Sequence, residues 1–289
     1  MRIFAVLLFC LFAFTVYAAE KNPFESLYLS ASSVTAEELG VFFEKNTVNC
    51  SSKASVKGFT ALSRVIYGYE EGNIYAEAFR TNFKKCPDVF MAELSASQDE
   101  VQSCVFFRLT NSESEDESFD SRLADYLTEE KYASLAEIYD ASPLCSFDEK
   151  VTGKFDFAFV FDNFARLSPA ETETAYSQYY PDVFLCKNRA QVKNFLKISR
   201  LPLEEDALDK YYSALALTLI RSPECFLTEL AASPEPVRNC VVSYLKSTPF
   251  NNQTEIALTL GLFEANPKFT GILGLYFNAE PECELFEEK

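Results

Sequence analysis

The stretch CPDVFMAELSASQDEVQSC, Cys86 to Cys104, has an echo in SPECFLTELAASPEPVRNC, Ser222 to Cys240, displaced by 136 residues. The same offset lays CSSKASVKGFTALSR, Cys50 to Arg64, over CKNRAQVKNFLKISR, Cys186 to Arg200, with seven of fifteen residues shared. It then carries Tyr75 onto Tyr211, Pro87 onto Pro223, Glu93 onto Glu229, Ser97 onto Ser233 and Cys104 onto Cys240. After two further residues the register resumes, and EIYDASPLC, ending at Cys145, matches GLYFNAEPEC, ending at Cys283. A period near 137 residues is too long for a solenoid repeat. It predicts an internal duplication into two homologous modules, 20–146 and 147–289, each with four cysteines and enough chain for a core.

Apolar residues recur at three and four: Phe59, Leu62, Ile66; Tyr75, Phe79, Phe83; Tyr132, Leu135, Ile138, Tyr139. That spacing is helical. Thr35 with Glu38, Ser97 with Glu100 and Ser168 with Glu171 have the spacing of capping boxes, and Pro87 and Pro223 suit first-turn positions. The eight glycines leave little material for hairpin turns. The expectation is an all-α fold with six or seven short helices per module. FDFAFVF, Phe155 to Phe161, alternates like a strand but also carries a Phe157–Phe161–Phe164 helical stripe, and reads as a buried interdomain helix. A helix near 52–66 followed by one near 71–85 makes an antiparallel hairpin whose ends hold Cys50 and Cys86, within disulfide reach. Cys104 is then left for Cys145, and the second module repeats the pattern as Cys186–Cys225 and Cys240–Cys283.

The first residues have one charge at Arg2, an apolar run from Ile3 to Val16 and small residues around Ala18. This is the format of a secretory signal peptide, residues 1–19, and the run is too short to span a bilayer. Its removal takes Cys10 and leaves an even set of eight cysteines, as expected of a secreted protein with structural disulfides. The formal charge is −17, from 26 basic and 43 acidic residues, and losing Arg2 makes it one unit more negative. So acidic a chain is unsuited to nucleic acid or anionic membrane.

The sequence contains no histidine. Serine–histidine and cysteine–histidine catalysis and histidine metal ligation are therefore excluded, and no cofactor, metal or catalytic residue is assigned. Glu93 and Glu229 read as exposed helix residues. Lys57 and Lys193, seven residues before Arg64 and Arg200, read as part of an intramodule ion pair rather than a binding ridge. SESEDESFD, Ser112 to Asp120, lacks the spacing of a calcium loop and reads as a solvated linker. Asn49-Cys50-Ser51 and Asn252-Gln253-Thr254 are glycosylation sequons, so a glycoprotein is expected.

The leader, the length, the acidity and the two four-cysteine sets resemble the 34-kilodalton salivary secreted proteins of mosquitoes. The resemblance covers the whole chain but is one of format. It implies a non-enzymatic factor of saliva that acts by protein binding, on an extracellular partner, and modulates blood feeding or the bite site; the acidity of the chain suits a basic partner. Two-module odorant-binding-like salivary carriers are also helical and disulfide-bonded, although their hallmark C-x-x-x-C is absent here. They imply the alternative function, a carrier in which some of the 28 phenylalanines line a cavity for a small apolar ligand.

Overall fold

A computed structural model describes residues 22–114, 116–248 and 250–286, apart from the side chains of 250–252. The leader at 1–19 and the side chain of Asn252 lie outside the described residues. The fold is all-helical, with no strand among the described residues. The chain divides after Val151 into two compact units. The first contains α1 (Pro23–Tyr28), α2 (Ala36–Lys45), α3 (Lys53–Ala61), α4 (Tyr69–Lys85), α5 (Pro87–Ser95), α6 (Asp99–Thr110), α7 (Glu117–Leu127) and α8 (Ala133–Asp140). The second contains α9 (Phe157–Asn163), α10 (Pro169–Phe184), α11 (Arg189–Lys197), α12 (Glu205–Arg221), α13 (Pro223–Ala231), α14 (Glu235–Ser247), α15 (Phe250–Gly261) and α16 (Thr270–Asn278). The helices beyond the expected six or seven include the short one opening each unit. Those begin at side-chain caps, Asn22 and Asp156, which periodicity does not reveal.

The helix expected over 52–66 stops at Ala61 and tightens into a 3-10 turn, Leu62–Arg64. Arg189–Lys197 does the same at Ile198–Arg200. At each break a buried tyrosine supplies a hydroxyl to freed carbonyls. Tyr75 Oη donates to Phe59 O and Thr60 O, both at 3.4 Å. Tyr211 Oη donates to Phe195 O at 2.8 Å and Leu196 O at 3.4 Å. Each tyrosine ring also meets the phenylalanine of the preceding helix, Tyr75 on Phe59 at 5.3 Å and Tyr211 on Phe195 at 5.1 Å. In the first unit the apolar core continues along α4 through Phe79 and Phe83 to Phe90 and Phe119.

The bridges are Cys50–Cys86, Cys104–Cys145, Cys186–Cys225 and Cys240–Cys283. The first and third join the far ends of a helical hairpin, and the second and fourth pin the chain following the unit's last helix onto α6 or α14. The pinned tail returns to the 3-10 turn. Arg64 Nε donates to Ser146 O at 3.1 Å and Arg200 Nε donates to Glu284 O at 3.0 Å, while Asp148 N–H and Phe286 N–H donate back to Arg64 O and Arg200 O. Arg64 and Arg200 are therefore backbone clamps rather than members of a side-chain ion pair with a helix neighbour, because the 3-10 turn swings them off the face that holds exposed Lys57 and Lys193.

Other expectations are corrected. Thr35–Glu38 and Ser168–Glu171 form reciprocal capping boxes, but Ser97 donates its hydroxyl to Glu93 O at 2.7 Å, and α6 begins behind Gln98. Back-bonding turns the Ser97 hydroxyl toward the preceding helix, and the N-cap position falls one residue later, at Gln98. Glu93 and Glu229 are mostly covered, each side chain 14% exposed, and face Lys53 at 3.4 Å and Arg189 at 3.7 Å. The acidic stretch is only partly a linker: Asp116 caps α7 and pairs with Lys84, while Ser112 accepts from Arg80 at 2.8 Å. Phe155 to Phe161 forms the capped start of the second unit, where α9 packs on α10 and α11.

Two expectations for stability follow. Replacing Cys104 and Cys145 together by alanine opens a loop of 41 residues and is expected to cost about 3–4 kcal/mol in urea unfolding. Faster hydrogen exchange should then appear at 142–148 first; unchanged exchange there would contradict the latch. Burial raises the Tyr211 pKa well above its usual 10.0. The folded state therefore holds this proton more tightly, so its stabilising contribution is present below pH 10 and lost as pH rises further. Tyr211→Phe is expected to cost about 1 kcal/mol at pH 7 and to make the fall in stability above pH 10 shallower, measured by urea unfolding across pH.

Candidate functional site

A cavity of about 920 Å³ lies in the second unit, between α9, the 3-10 turn Phe164–Arg166, α10, the loop at Pro202–Glu204 and α12. Its construction begins at Asp156. This carboxylate accepts from Ala158 N–H at 3.0 Å and Phe159 N–H at 3.2 Å, so it caps α9, and its second oxygen accepts from Gln191 Nε2 at 2.7 Å. The first wall is thereby fixed to α11. Burial pushes the Asp156 pKa up, but the hydrogen bonds from Gln191 and Phe159 together with Lys154 outweigh it and leave it below the usual range. The Ser168–Glu171 capping box then sets where α10 starts, with Ser168 N–H and Oγ both donating to Glu171, at 2.8 and 2.9 Å.

The back of the cavity is aromatic. Tyr176 meets Phe157 edge-on at 5.4 Å and stacks on Tyr180 at 5.9 Å. Tyr180 Oη donates to Ala214 O at 3.1 Å and accepts from Thr218 at 3.4 Å, which holds α10 to α12. Tyr176 has no such partner: its oxygen is enclosed and unbonded, and burial carries its pKa well above 10.0. Val160, Leu167, Ile198 and Ala214 complete an apolar interior. Leu217, 48% exposed, stands at the mouth. The rim carries Glu173, Glu204, Asp206, Asp209 and Lys210, with Lys210 Nζ 3.1 Å from Glu173.

The first unit has larger, buried side chains at two of the corresponding positions. At the offset of 136, Leu203 stands opposite Tyr67, Ala207 opposite Glu71 and Leu217 opposite Thr81. Tyr67 is buried and donates its hydroxyl to Ser32 O at 3.1 Å, joining the 3-10 turn Ala31–Ser33 to the start of α4. Glu71, in the first turn of α4, is also buried. Leu203 has no hydroxyl to reach across and Ala207 is smaller than a glutamate, and both line the cavity of the second unit.

The residues singled out in the sequence are not gathered here. The disulfides serve the frame, Asn49 is exposed beside its bridged Cys50, and Glu229 faces Arg189 on α11. Among the described residues no group of three or more cysteines and carboxylates is placed to hold a metal, and no helix is long and apolar enough to cross a membrane. Tyr176, Tyr180, Leu203, Ala207 and Leu217 went unnoticed because each alone is an ordinary helix or loop residue. The signal was in the comparison of the two units at the offset of 136, at the positions where one has a large side chain and the other a small one. No family model, curated protein or solved structure matches the chain.

An unbonded buried hydroxyl costs its desolvation without return. Tyr176→Phe is therefore expected to raise stability by about 1 kcal/mol in chemical denaturation, and a loss of similar size would show that the hydroxyl has a partner.

Proposed function

We propose that this chain is a secreted, non-enzymatic binding protein of two modules descended from one, in which the second module carries a small apolar ligand. The observation that carries this reading is the cavity. Its volume, about 920 Å³, falls among those of small-molecule sites, and its interior is apolar with polar groups at the mouth. Catalysis is not part of the proposal: the interior is mainly aromatic and aliphatic, and the Lys210–Glu173 contact at the rim is an exposed ion pair. Four disulfides in the described chain support an oxidising, extracellular setting. Descent from one module is supported by α3 to α5 recurring as α11 to α13 at one constant offset of 136. The saliva setting and occupied sequons at Asn49 and Asn252 belong to the same proposal and rest on the sequence alone.

A second reading, capture of a basic protein partner, is favoured by the formal charge of −17. Such association would be salt-sensitive, since opposite charge accelerates encounter and salt screens it. The two readings separate on where binding occurs. The neutral dye N-phenyl-1-naphthylamine is expected to bind with one site per chain and enhanced fluorescence, and Leu203→Tyr, which introduces the larger residue of the first unit, is expected to weaken it at least about tenfold. Dye binding that survives Leu203→Tyr and Ala214→Phe unchanged would place the ligand elsewhere and defeat the carrier reading.

A further inference from the structure

Arg80 is a buried cation that the fold leaves uncompensated, and from its surroundings we infer that Ser112 is a phosphorylation site whose phosphate pairs with Arg80. The site lies in the first unit and is independent of the carrier reading. Arg80 is 5% exposed, and no carboxylate among the described residues is within ion-pair distance of it. A buried charge without a counter-ion is costly. Its Nη2 donates to Leu109 O at 3.0 Å and to Ser112 Oγ at 2.8 Å, while Nε and Nη1 have no partner. A guanidinium is a planar fork in which Nη2 belongs to both edges, one shared with Nε and one with Nη1. Whichever edge Ser112 occupies, the second N–H of that edge is unused. A hydroxyl has one oxygen and cannot fill an edge. A phosphate on the same Oγ has three further oxygens, and two parallel charge-assisted bonds then fit.

The sequence around Ser112 is a second, independent observation. Ser112 opens SESEDESFD, with five acids in nine residues, and a serine followed by acids suits the basic groove of an acidophilic protein kinase. Free acids would repel a phosphate dianion, but two of these are engaged. Asp116 pairs with Lys84 and accepts from Phe119 N–H at 3.1 Å, and Glu113 accepts from the Tyr69 hydroxyl. Lys84 follows Arg80 by one turn of α4, so both cations face this segment. In the transfer, Ser112 Oγ attacks the γ-phosphorus of ATP. The Oγ–P bond forms as the bond to the ADP oxygen breaks, and the hydroxyl proton passes to the base of the kinase. The folded chain engages that hydroxyl, so the transfer precedes packing of the linker. Leu109 O then loses the Ser112 hydroxyl, a donor at 3.1 Å, and keeps Arg80. At the offset of 136 Ala216 stands where Arg80 is, and TPFNNQTE, Thr248 to Glu255, has a single acid, so the second unit has neither half of the site.

Peptide mapping of the full chain from its natural source is expected to find phosphate on Ser112. Phosphate absent from the chain, or confined to Ser114 or Ser118, would overturn the assignment. The pairing is tested on full chains with phosphoserine encoded at position 112 or, as a control, at position 114. At 112 the thermal midpoint is expected to rise by about 3–6 °C over the unmodified chain. The titration midpoint of the phosphate, followed by phosphorus NMR, is expected to fall below its ordinary value of about 6, because a neighbouring cation favours the dianion. At 114 neither shift is expected. Arg80→Met removes the cation and keeps an apolar stem, and should abolish both shifts at 112. Equal behaviour of the 112 and 114 chains, or shifts at 112 that survive Arg80→Met, would overturn the inference. Should the Arg80→Met chain fail to fold, the difference in phosphate titration between 112 and 114 decides alone.

Discussion

Each unit turns on the point where a helix tightens into a 3-10 turn and a buried tyrosine from the next helix donates its hydroxyl to the carbonyls at the break. The break matters because an unbroken helix would carry Arg64 and Arg200 along its outer face. Tightening the last turn instead points each guanidinium at the tail that a disulfide has pinned to α6 or α14. The sulfurs sit at the same place, with Cys145 Sγ 3.8 Å from Ser63 O and Cys283 Sγ 3.6 Å from Ser199 O. Hairpin, clamp and tail thus meet at one junction, and a disulfide there holds ends that the clamp has already aligned.

Around that shared junction the two cores are filled differently. The first unit runs Phe79 and Phe83 along α4, and buries Arg80 and Arg108 against aromatic rings and backbone carbonyls. At the same offset the second unit has Leu215, Leu219, Ala216 and Tyr244. Leucines at the first two positions move the aromatic weight of the second unit from α12 to α10, where Tyr176 and Tyr180 extend from Phe195 toward the opening. The longer α10, sixteen residues against ten in α2, supplies the wall those rings need.

Much of the frame was legible in the sequence because it rests on local, periodic signals. Helical spacing, two of three capping boxes, the first-turn prolines and the hairpin reasoning for Cys50–Cys86 all depend on residues a few positions apart or on helix length. Most of the misread features depend on partners distant in sequence. Arg64 could not show that residue 146 would return to it, while Ser97 is a local ambiguity, because its hydroxyl can serve the helix behind it as well as the one ahead. Glu93 is covered where α3 packs on α5, which also sets Lys53 opposite it. The cavity was invisible for a related reason: a void is made by what Leu203 and Ala207 fail to fill, and no single residue marks an omission.

The physical case for a ligand comes from that omission. Filling space with side chains gains dispersion contacts and removes apolar surface from water, so a chain selected for stability alone favours the closed arrangement. In the first unit Tyr67 is buried and hydrogen-bonded to Ser32 O, and Glu71 is buried in the first turn of α4. Small residues there leave the second unit with a water-facing apolar interior, an exposed Leu217 at the entrance and an unbonded hydroxyl in the wall. All three are unfavourable in the empty protein. Covering apolar surface and the leucine is what an apolar body inside the cavity does, so binding offsets the first two costs where folding alone cannot.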